Sequence, residues 1–413
     1  MKRTVLAGFA AAMMAFGAIN SAVAGNAAPA DPSHVVGQIM VKFRDHRAAA
    51  DTLRQHGLSE GPGIGSTGAH LIKAPAGQEL QLIEALNRNP AVEYAEPDHV
   101  VTPATADQYF SRQYALQNTG QSFTNTAGTL TVAAGKADAD VDAVEAWTFT
   151  KGAGIRVAVL DSGVANDNPD ITPKVSARAN FTTGETGDDN YGHGTHVAGI
   201  VAAAHNTQGV AGTCPECTIL DGKVLNDSGI GSSSGLASGI NWAVSNGAKV
   251  INMSLGVRAS RTLETAVNNA WSKGVVLVAA AGNGGNQTKI YPGAYPNVIA
   301  VAATDNKDAK ASFSTYGASW VDIAAPGVNV YSTFPNHEFV LESQYNRSRG
   351  YDVGNGTSMS SPIVAATAAL VWSRNSGATS EAVRGKVELT ADAVSGTGTY
   401  WKYGRVNAYN AVK

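Results

Sequence analysis

The 413-residue sequence predicts an α/β protein, in which a parallel sheet is sandwiched by helices and a small α+β unit precedes it. Short, nearly continuous apolar runs alternate with small-residue helical patterns through the larger, C-terminal part, as in strands buried on both faces. A polar, Pro-containing run at 101–106 separates this part from the front of the chain. Hydrophobic residues make up 44% of the chain, which is enough for a large core and excludes a disordered protein.

The first 24 residues have the pattern of a secretory signal peptide. Lys2 and Arg3 precede an apolar run at 5–19, and residues 22–24 (Ala-Val-Ala) give the small-x-small pattern of a cleavage site. The apolar run is shorter than the ~20 residues of a transmembrane helix. We therefore expect cleavage after Ala24 and a secreted, extracellular protein without a membrane anchor.

The front unit reads as a ferredoxin-like α+β domain of the split βαβ kind. Its predicted elements, in order, are a strand at 35–43, a helix at 46–56, a strand at 69–73, a helix at 79–89 and an extended end at 92–101. The polar run at 101–106 follows, and such runs are typical of linkers and cleavage sites. We place a domain boundary there.

The larger unit is predicted to hold a parallel sheet. Its apolar runs predict strands at 155–160, 249–255, 275–281, 298–303 and 321–325. In such sheets, functional residues gather at the carboxyl ends of the strands.

Charge excludes one class of partner. The chain carries 30 Lys and Arg against 33 Asp and Glu, a formal net charge of −3. Because proteins that bind nucleic acid present a strongly basic face, we expect no nucleic-acid partner.

Cys214 and Cys217 are the only cysteines, in the run Cys-Pro-Glu-Cys. In an exported protein such a pair predicts a local disulfide. A redox pair would need a thioredoxin-like setting, and a zinc site would need two further ligands nearby.

Two motifs carry an acid and an imidazole. Asp161 ends the first strand of the larger unit in Val-Leu-Asp-Ser-Gly, where it is either a turn-capping or a catalytic carboxylate. His193 opens Gly-His-Gly-Thr-His-Val-Ala-Gly at the start of a helical pattern. Taken alone, it could be a base, a structural residue or half of a metal pair with His196, although no third ligand has a suitable spacing.

Ser358 lies in Gly-Thr-Ser-Met-Ser-Ser-Pro, ahead of an apolar helical pattern at 363–372. Such a run is ordinarily a helix N-cap. A nucleophile at this position would gain a backbone N–H and a helix dipole that favour negative charge on an oxyanion. Together with Asp161 and His193, it completes the carboxylate, base and hydroxyl of acyl-transfer catalysis, in the chain order Asp, His, Ser.

With these motifs the chain resembles the subtilisin-like serine proteases, and residues 107–114 (DQYFSRQY) are closest to the thermitase-type branch. The matching segments are VAVLDSG, HGTHVAGIVAA, INMSLG, AAAGNGG, SFSTYG, APGV, GTSMSSP and GRVNAYNAV, from about Asp107 to the C-terminus. The segment VEYAEPD at 92–98 resembles the end of the family's propeptide, an intramolecular chaperone and inhibitor. The implied organisation is a signal peptide at 1–24, a propeptide at 25–105 and a peptidase domain at 106–413.

The resemblance implies a secreted serine endopeptidase, monomeric and made as an autoprocessed precursor that its own propeptide inhibits. Asp161, His193 and Ser358 would form the triad, and Asn283 in Ala-Gly-Asn-Gly would donate its side-chain amide to the oxyanion. Read without the resemblance, Asn283 is a turn residue that ends a strand. The presence of all four residues argues against a binding protein on an inactive protease scaffold, whereas an esterase with the same triad stays open.

The resemblance also implies that protein or peptide substrates pair their backbone with two edges of the cleft. Backbone pairing is sequence-tolerant, which implies broad specificity. Ala280, Ala281 and Gly282 would line an open primary pocket suited to apolar or aromatic side chains. The two edges would be formed by Ser228, Gly229, Ile230 and Gly231 on one side and by Ser254, Leu255 and Gly256 on the other.

A structural Ca²⁺ ion is the cofactor that the resemblance implies. Residues 204–210 match the family's calcium loop without gaps, and all the ligands offered are hard oxygens. The alternative is a solvated loop with an incidental Asn. The implied ligands are the Asn206 side chain, the carbonyls of Ala204, Gln208 and Val210, and the carboxylates of Asp107 and Asp170. One departure from the family is the loop at 334–353, which is longer than usual.

Overall fold

The structure is a computed structural model that describes residues 34–45, 48–99, 107–183 and 186–413. The chain divides into two compact units, residues 1–102 and 103–413. The predicted signal peptide at 1–24 and the linker at 101–106 lie outside the described residues, so both stay predictions, as does the domain boundary at 105/106.

In its described residues, the front unit is a three-stranded antiparallel sheet with two helices. Its elements are β1 (His34–Phe43), α1 (Ala49–Gln55), β2 (Ala69–Lys73), α2 (Glu79–Asn87) and β3 (Val92–His99). The strand order is β2-β1-β3. Alternate residues of β1, Ile39 and Val41, are fully buried against Leu53 and Leu86 of the helices, which is the period of two expected for a sheet with one buried face.

The larger unit is built on a seven-stranded parallel sheet in the described residues. The sheet strands are β6 (Arg156–Asp161), β7 (Val175–Asn180), β8 (Thr218–Lys223), β9 (Val250–Met253), β10 (Val276–Ala280), β11 (Ile299–Thr304) and β12 (Ile323–Pro326). Their order is β12-β11-β10-β9-β6-β8-β7. Two small antiparallel pairs flank it: β4 (Phe123–Thr124) with β5 (Thr131–Val132), and β13 (Val330–Thr333) with β14 (Tyr351–Gly354).

Helices cover both faces of this sheet. They are α3 (Ala143–Ala146), α4 (His193–Ala202), α5 (Ser233–Ser245), α6 (Arg261–Ser272), α7 (Val340–Tyr345), α8 (Thr357–Arg374), α9 (Ser380–Leu389) and α10 (Ala408–Val412). Successive residues of β6 face opposite sides: Val157 and Val159 belong to the core with α4 and α8, while Ala158 and Leu160 pack with α5 and α6. This confirms the predicted helix-sheet-helix architecture.

The five predicted strands correspond to β6, β9, β10, β11 and β12, whereas β7 and β8 were not predicted. The edge strand β7 alternates half-buried and exposed residues, so it shows no continuous apolar run. In β8, the buried charged residues Asp221 and Lys223 interrupt the run. None of the helices in the described ranges is long and apolar enough to cross a bilayer.

Candidate active site

Asp161 and His193 meet at the carboxyl end of the sheet. Asp161 is the last residue of β6 and is buried, and His193 is the first residue of α4. His193 Nδ1 lies 2.7 Å from Asp161 Oδ1, which also accepts the Ser162 N–H at 2.8 Å. A carboxylate at Nδ1 holds the proton there and leaves Nε2 as the basic nitrogen.

The surroundings of His193 set its pKa. Burial lowers this pKa, but the charge and hydrogen bond of Asp161 raise it, with a further contribution from Asp189, and the net shift is upward from 6.5. The same carboxylate therefore orients the imidazole and strengthens it as a base.

Asp189 holds the turn that leads into His193. Its buried carboxylate accepts the Gly192 N–H at 2.8 Å and both the N–H and the hydroxyl of Thr195, at 2.8 and 2.6 Å. It also accepts the Ser162 hydroxyl at 2.8 Å, next to Asp161. Sequence reasoning missed this residue; its position four residues before the histidine was the only available signal.

Lys223, also missed, joins three segments around Asp161. It is fully buried, and its Nζ donates to the carbonyls of Ser162 (2.7 Å) and Asp188 (3.1 Å) and to Asp227 Oδ1 (2.7 Å). Lys223 stands opposite Asp161 in the β6–β8 pairing. Its three donors are thus satisfied, as a buried ammonium group requires.

Ser358 lies in the first turn of α8. Its hydroxyl donates to the Ser254 carbonyl at 3.2 Å, and the Ser254 hydroxyl donates to the Ser358 carbonyl at 2.8 Å. Ser254 also lines the cavity that contains His193. His193 and Ser358, both described, make no hydrogen bond to each other in this rotamer; catalytic hydrogen bonds are often long or misaligned before substrate binds.

Asn283 is oriented by Thr357. Asn283 Oδ1 accepts the N–H and the hydroxyl of Thr357 at 2.9 and 3.0 Å. The Gly282 N–H in turn donates to the Thr357 hydroxyl at 3.0 Å. Because both Thr357 donors hold Oδ1, the amide Nδ2 is left to donate elsewhere. Gly356 precedes the helix with φ +146°, and a Cβ there would lie 3.3 Å from Asn283 Nδ2.

The predicted substrate residues line two adjoining cavities. One, of about 370 Å³, is bounded by both predicted edges, namely Gly229, Ile230 and Gly231 with Ser254, Leu255 and Gly256. The other, of about 850 Å³, contains Asn283, Ser358, Ala280 and Gly282. Neither of these two linings includes Ser228 or the buried Ala281, although both residues are described.

Ile290 is a pocket residue that sequence reasoning missed. It lines the larger cavity between two predicted wall residues: a Cβ at Gly256 would lie 2.7 Å from Ile290 Cγ2, and a Cβ at Gly282 would lie 3.0 Å from its Cγ1. The glycines are therefore what lets the isoleucine side chain enter the pocket.

The predicted calcium ligands cluster around residues 204–210. Asp107 Oδ1 accepts the N–H groups of Asn206 and Thr207 at 2.7 and 2.6 Å, and Asp170 Oδ2 accepts the Val210 N–H at 2.8 Å. Asn206 Oδ1 accepts the Gln208 N–H at 3.0 Å, and the Ala204 N–H donates to the Asp170 carbonyl at 3.2 Å.

Two carboxylate oxygens in this cluster are buried without a hydrogen-bond partner among the described residues: Oδ2 of Asp107 and Oδ1 of Asp170. Burial raises the pKa of both groups, and with the added charge of Asp107 the pKa of Asp170 rises to about 6. Two buried like charges with unused oxygens fit a hard cation such as Ca²⁺. Within the described ranges, no three His, Cys, Asp or Glu side chains form a metal cluster.

Two other predicted features, the cysteine pair and His196, are buried in the larger unit. The sulfur atoms of Cys214 and Cys217 lie at bonding distance, and both residues are fully buried. His196, considered as a metal partner of His193, is instead buried beside Phe334, with Nε2 3.3 Å from the Asp352 carbonyl. Burial lowers the pKa of His196 to about 3, which keeps it neutral.

The chain is similar to known proteins over most of its length. The subtilase family (peptidase S8) matches residues 152–406, and the fervidolysin N-terminal prodomain matches residues 20–98. A thermophilic serine proteinase of Bacillus sp. (strain AK1) is 40% identical over 92% of this chain and 88% of its own. Thermitase of Thermoactinomyces vulgaris is 46% identical over 66% of this chain and 94% of its own. A solved structure of proteases from Pseudoalteromonas arctica PAMC 21717 covers 75% of this chain and 99% of its own, with TM-score 0.63 and 28% identity.

Proposed function

The chain belongs to the subtilase family and is a serine endopeptidase with an N-terminal prodomain, and we propose that Asp161, His193 and Ser358 are its catalytic triad. The observation that carries this proposal is the 2.7 Å contact between His193 Nδ1 and Asp161 Oδ1 at the carboxyl end of the sheet. Replacement of Ser358, treated in the Discussion, tests it.

In the proposed mechanism, His193 Nε2 takes the proton of the Ser358 hydroxyl while Oγ bonds to the peptide carbonyl carbon. Asn283 Nδ2 and the Ser358 N–H donate to the resulting oxyanion, and the N-terminus of α8 favours its negative charge. The leaving amine takes the proton from His193 as the C–N bond breaks. Water, deprotonated by His193, then attacks the acyl carbon, and as the ester bond to Ser358 breaks His193 returns the proton to Ser358 Oγ.

We further propose that the chain is exported by the leader at 1–24 and matures by its own cleavage near residue 105 into a monomeric extracellular peptidase of residues 106–413. The prodomain at 25–105 would inhibit the peptidase until then. The secretory pattern of the leader and the prodomain match at 20–98 support this sequence of events.

For the substrate, the proposal is a protein or peptide whose backbone pairs with the two edges and whose apolar or aromatic side chain enters the larger cavity. Leu255, Val257 and Ile290 in the lining of that cavity support an apolar preference. The paired cysteines at 214 and 217 are proposed to be oxidised in the exported protein.

Activity is expected to rise with pH. The base must be neutral, and the pKa of His193 is raised above 6.5, so kcat/KM should increase through a midpoint above that value. Initial rates on a peptide without ionisable side chains, measured from pH 5 to pH 9, would give the midpoint. His337→Gln is a matched control because the pKa of His337 is also raised, by its bond to Asp167 against the opposing effect of burial, and this variant should keep the midpoint. A profile without a rise between these limits would contradict the assignment of His193.

Calcium is proposed to bind at Asp107 and Asp170, with Asn206 and the carbonyls of Ala204, Gln208 and Val210 as the other ligands. When bound, the ion would neutralise the two buried carboxylates and fix the 204–210 loop; no catalytic step is assigned to it.

Removal of calcium is expected to lower the melting temperature. At a calcium concentration of ~1,000 times Kd, binding contributes about 4 kcal/mol, which corresponds to roughly 6 °C for a domain of this size. Calorimetry of Ser358→Ala, which prevents self-digestion, should show this difference between calcium and EDTA. Adding Asp107→Asn and Asp170→Asn to that variant should abolish it. Equal melting temperatures of Ser358→Ala in calcium and in EDTA would contradict the proposed calcium site.

A further inference from the structure

His337 lies in the long loop at 334–353 and contacts two other segments of the larger unit. Its Nδ1 is 2.8 Å from Asp167 Oδ2, and its Nε2 is 3.2 Å from the backbone carbonyl of Asp189. The ring is half-buried between these partners. Because Asp189 lies in the turn that leads into His193, the imidazole joins the loop to the segment that carries the proposed base.

The two contacts together require a protonated ring. An ionised carboxylate and a backbone carbonyl only accept hydrogen bonds, and a neutral imidazole has a single N–H. The imidazolium of His337 donates from both nitrogens, to Asp167 and to the Asp189 carbonyl at once. When a proton is lost, the Asp167 carboxylate retains the N–H at Nδ1, and Nε2 presents a lone pair to the Asp189 oxygen. The hydrogen bond to Asp189 is therefore made only by the charged form.

The groups that face the ring from the other segments favour its charged form. Burial lowers the pKa of His337, but the hydrogen bond and charge of Asp167 raise it, with further contributions from the charge of Asp188 and the carbonyl of Asp189. The net shift of this pKa is upward from 6.5. The side chain is therefore charged in mildly acidic solution and loses its proton in alkaline solution.

The charged groups of the loop itself leave this balance in place. The neighbouring Glu338 is acidic. Arg349 donates to both carboxylate oxygens of Glu342 at 2.9 Å, so its charge is neutralised there. The charge of Arg347 acts on the buried His196.

The remaining attachments of the loop near the cleft do not titrate. The Val340 N–H donates to the Asn190 carbonyl at 2.9 Å, and the Leu341 N–H donates to the Tyr191 carbonyl at 3.2 Å. Both N–H groups belong to the first turn of α7, where a helix offers them no acceptor of its own. Their exchange with solvent therefore reports how often the loop leaves the segment at residues 190 and 191.

We propose that His337 is a pH-sensitive clasp, which as the imidazolium fastens the 334–353 loop to the Asp189 carbonyl and on losing its proton releases it. Because the ring must be charged, the clasp is closed below pH 6.5 and opens as the pH rises through the raised pKa of His337. Tyr191 lines the cavity of about 370 Å³, so one wall of the cleft gains mobility in alkaline solution. This inference is independent of the proposed catalytic roles.

Hydrogen exchange in the full Ser358→Ala precursor, kept in calcium, tests the clasp. Mass spectrometry of short peptides gives the protection of the Val340 and Leu341 N–H groups, corrected for the intrinsic effect of pH on exchange. With His337 in place, this protection should be about fivefold greater at pH 5.5 than at pH 8.5, the effect of one hydrogen bond of ordinary strength. The midpoint of the change should lie above pH 6.5.

Three variants in the same precursor separate the clasp from other effects of pH. His337→Gln is the matched control: its amide has an N–H donor at every pH, so protection should be equal at the two pH values. His337→Leu has no donor and should show the lower, alkaline level of protection at both. Asp167→Asn keeps the oxygen that accepts the Asn336 N–H but removes the charge, so the midpoint should fall towards 6.5.

The clasp is supported if protection depends on pH with His337 and not with Gln or Leu at this position. It is overturned if protection with His337 is equal at pH 5.5 and pH 8.5, or if His337→Gln and His337→Leu keep the same dependence on pH. A midpoint that does not move in Asp167→Asn also overturns it, because the ring would then titrate without its carboxylate partner.

Discussion

Replacing Ser358 by Ala is expected to lower kcat by about 10⁶-fold, the effect measured when the nucleophile of a subtilisin is removed. The variant retains His193 and Asn283 but has no oxygen to form the acyl-enzyme. Because the same site is proposed to cut the precursor, purified Ser358→Ala precursor should also stay at full length while the wild type shortens.

Intact mass over time, with casein digestion in parallel, measures both effects. Ser360→Ala is a matched control: this buried serine lies in the same helix turn, and its hydroxyl donates to the Pro326 carbonyl at 3.2 Å, away from the chemistry. It should shorten and digest casein as the wild type does. Adding mature wild type to the Ser358→Ala precursor shows whether the junction can be cut in trans. A purified Ser358→Ala precursor that shortens by itself would contradict both the nucleophile and the self-cleavage.

The architecture could be predicted because it depends on local patterns. Strands buried on both faces leave continuous apolar runs, which indicated five strands of the sheet. The edge strand β7 leaves no such run because half of its residues are exposed. In β8 the run is interrupted by Lys223, which is buried because it binds Ser162, Asp188 and Asp227, most of them distant in sequence. Its burial was therefore unpredictable from the sequence around it.

The catalytic candidates were recognisable for a different reason. Asp161, His193 and Ser358 stand in motifs whose chemistry constrains neighbouring residues, so short segments identify them. Residues that position the candidates are harder to recognise, because Asp189 and Thr357 act through hydrogen bonds to Ser162 and Asn283 that form only when separate segments meet. The 334–353 loop is the extreme case, because its contacts lie about 150 residues earlier in the chain, at Asn190 and Tyr191.

Asn283→Ala is expected to lower kcat by about 10²–10³-fold, or 2.7–4 kcal/mol, the effect measured for the corresponding donor of a subtilisin. KM should change little, since the amide is proposed to donate to an oxyanion that exists only after attack on the carbonyl. The pH midpoint should also stay in place, which separates this loss from a disturbed His193.

Thr357→Val provides the companion variant for this donor. It removes the hydroxyl that orients Asn283 Oδ1 but keeps the backbone N–H, so its loss of kcat should be smaller than that of Asn283→Ala. In the double variant the two losses of kcat should not add. Thr357 is proposed to act through Asn283, so removing its hydroxyl should have no further effect once the Asn283 amide is absent. Steady-state kinetics on one peptide substrate would measure all three. Additive losses, or a raised KM with unchanged kcat in Asn283→Ala, would place Asn283 outside the oxyanion site.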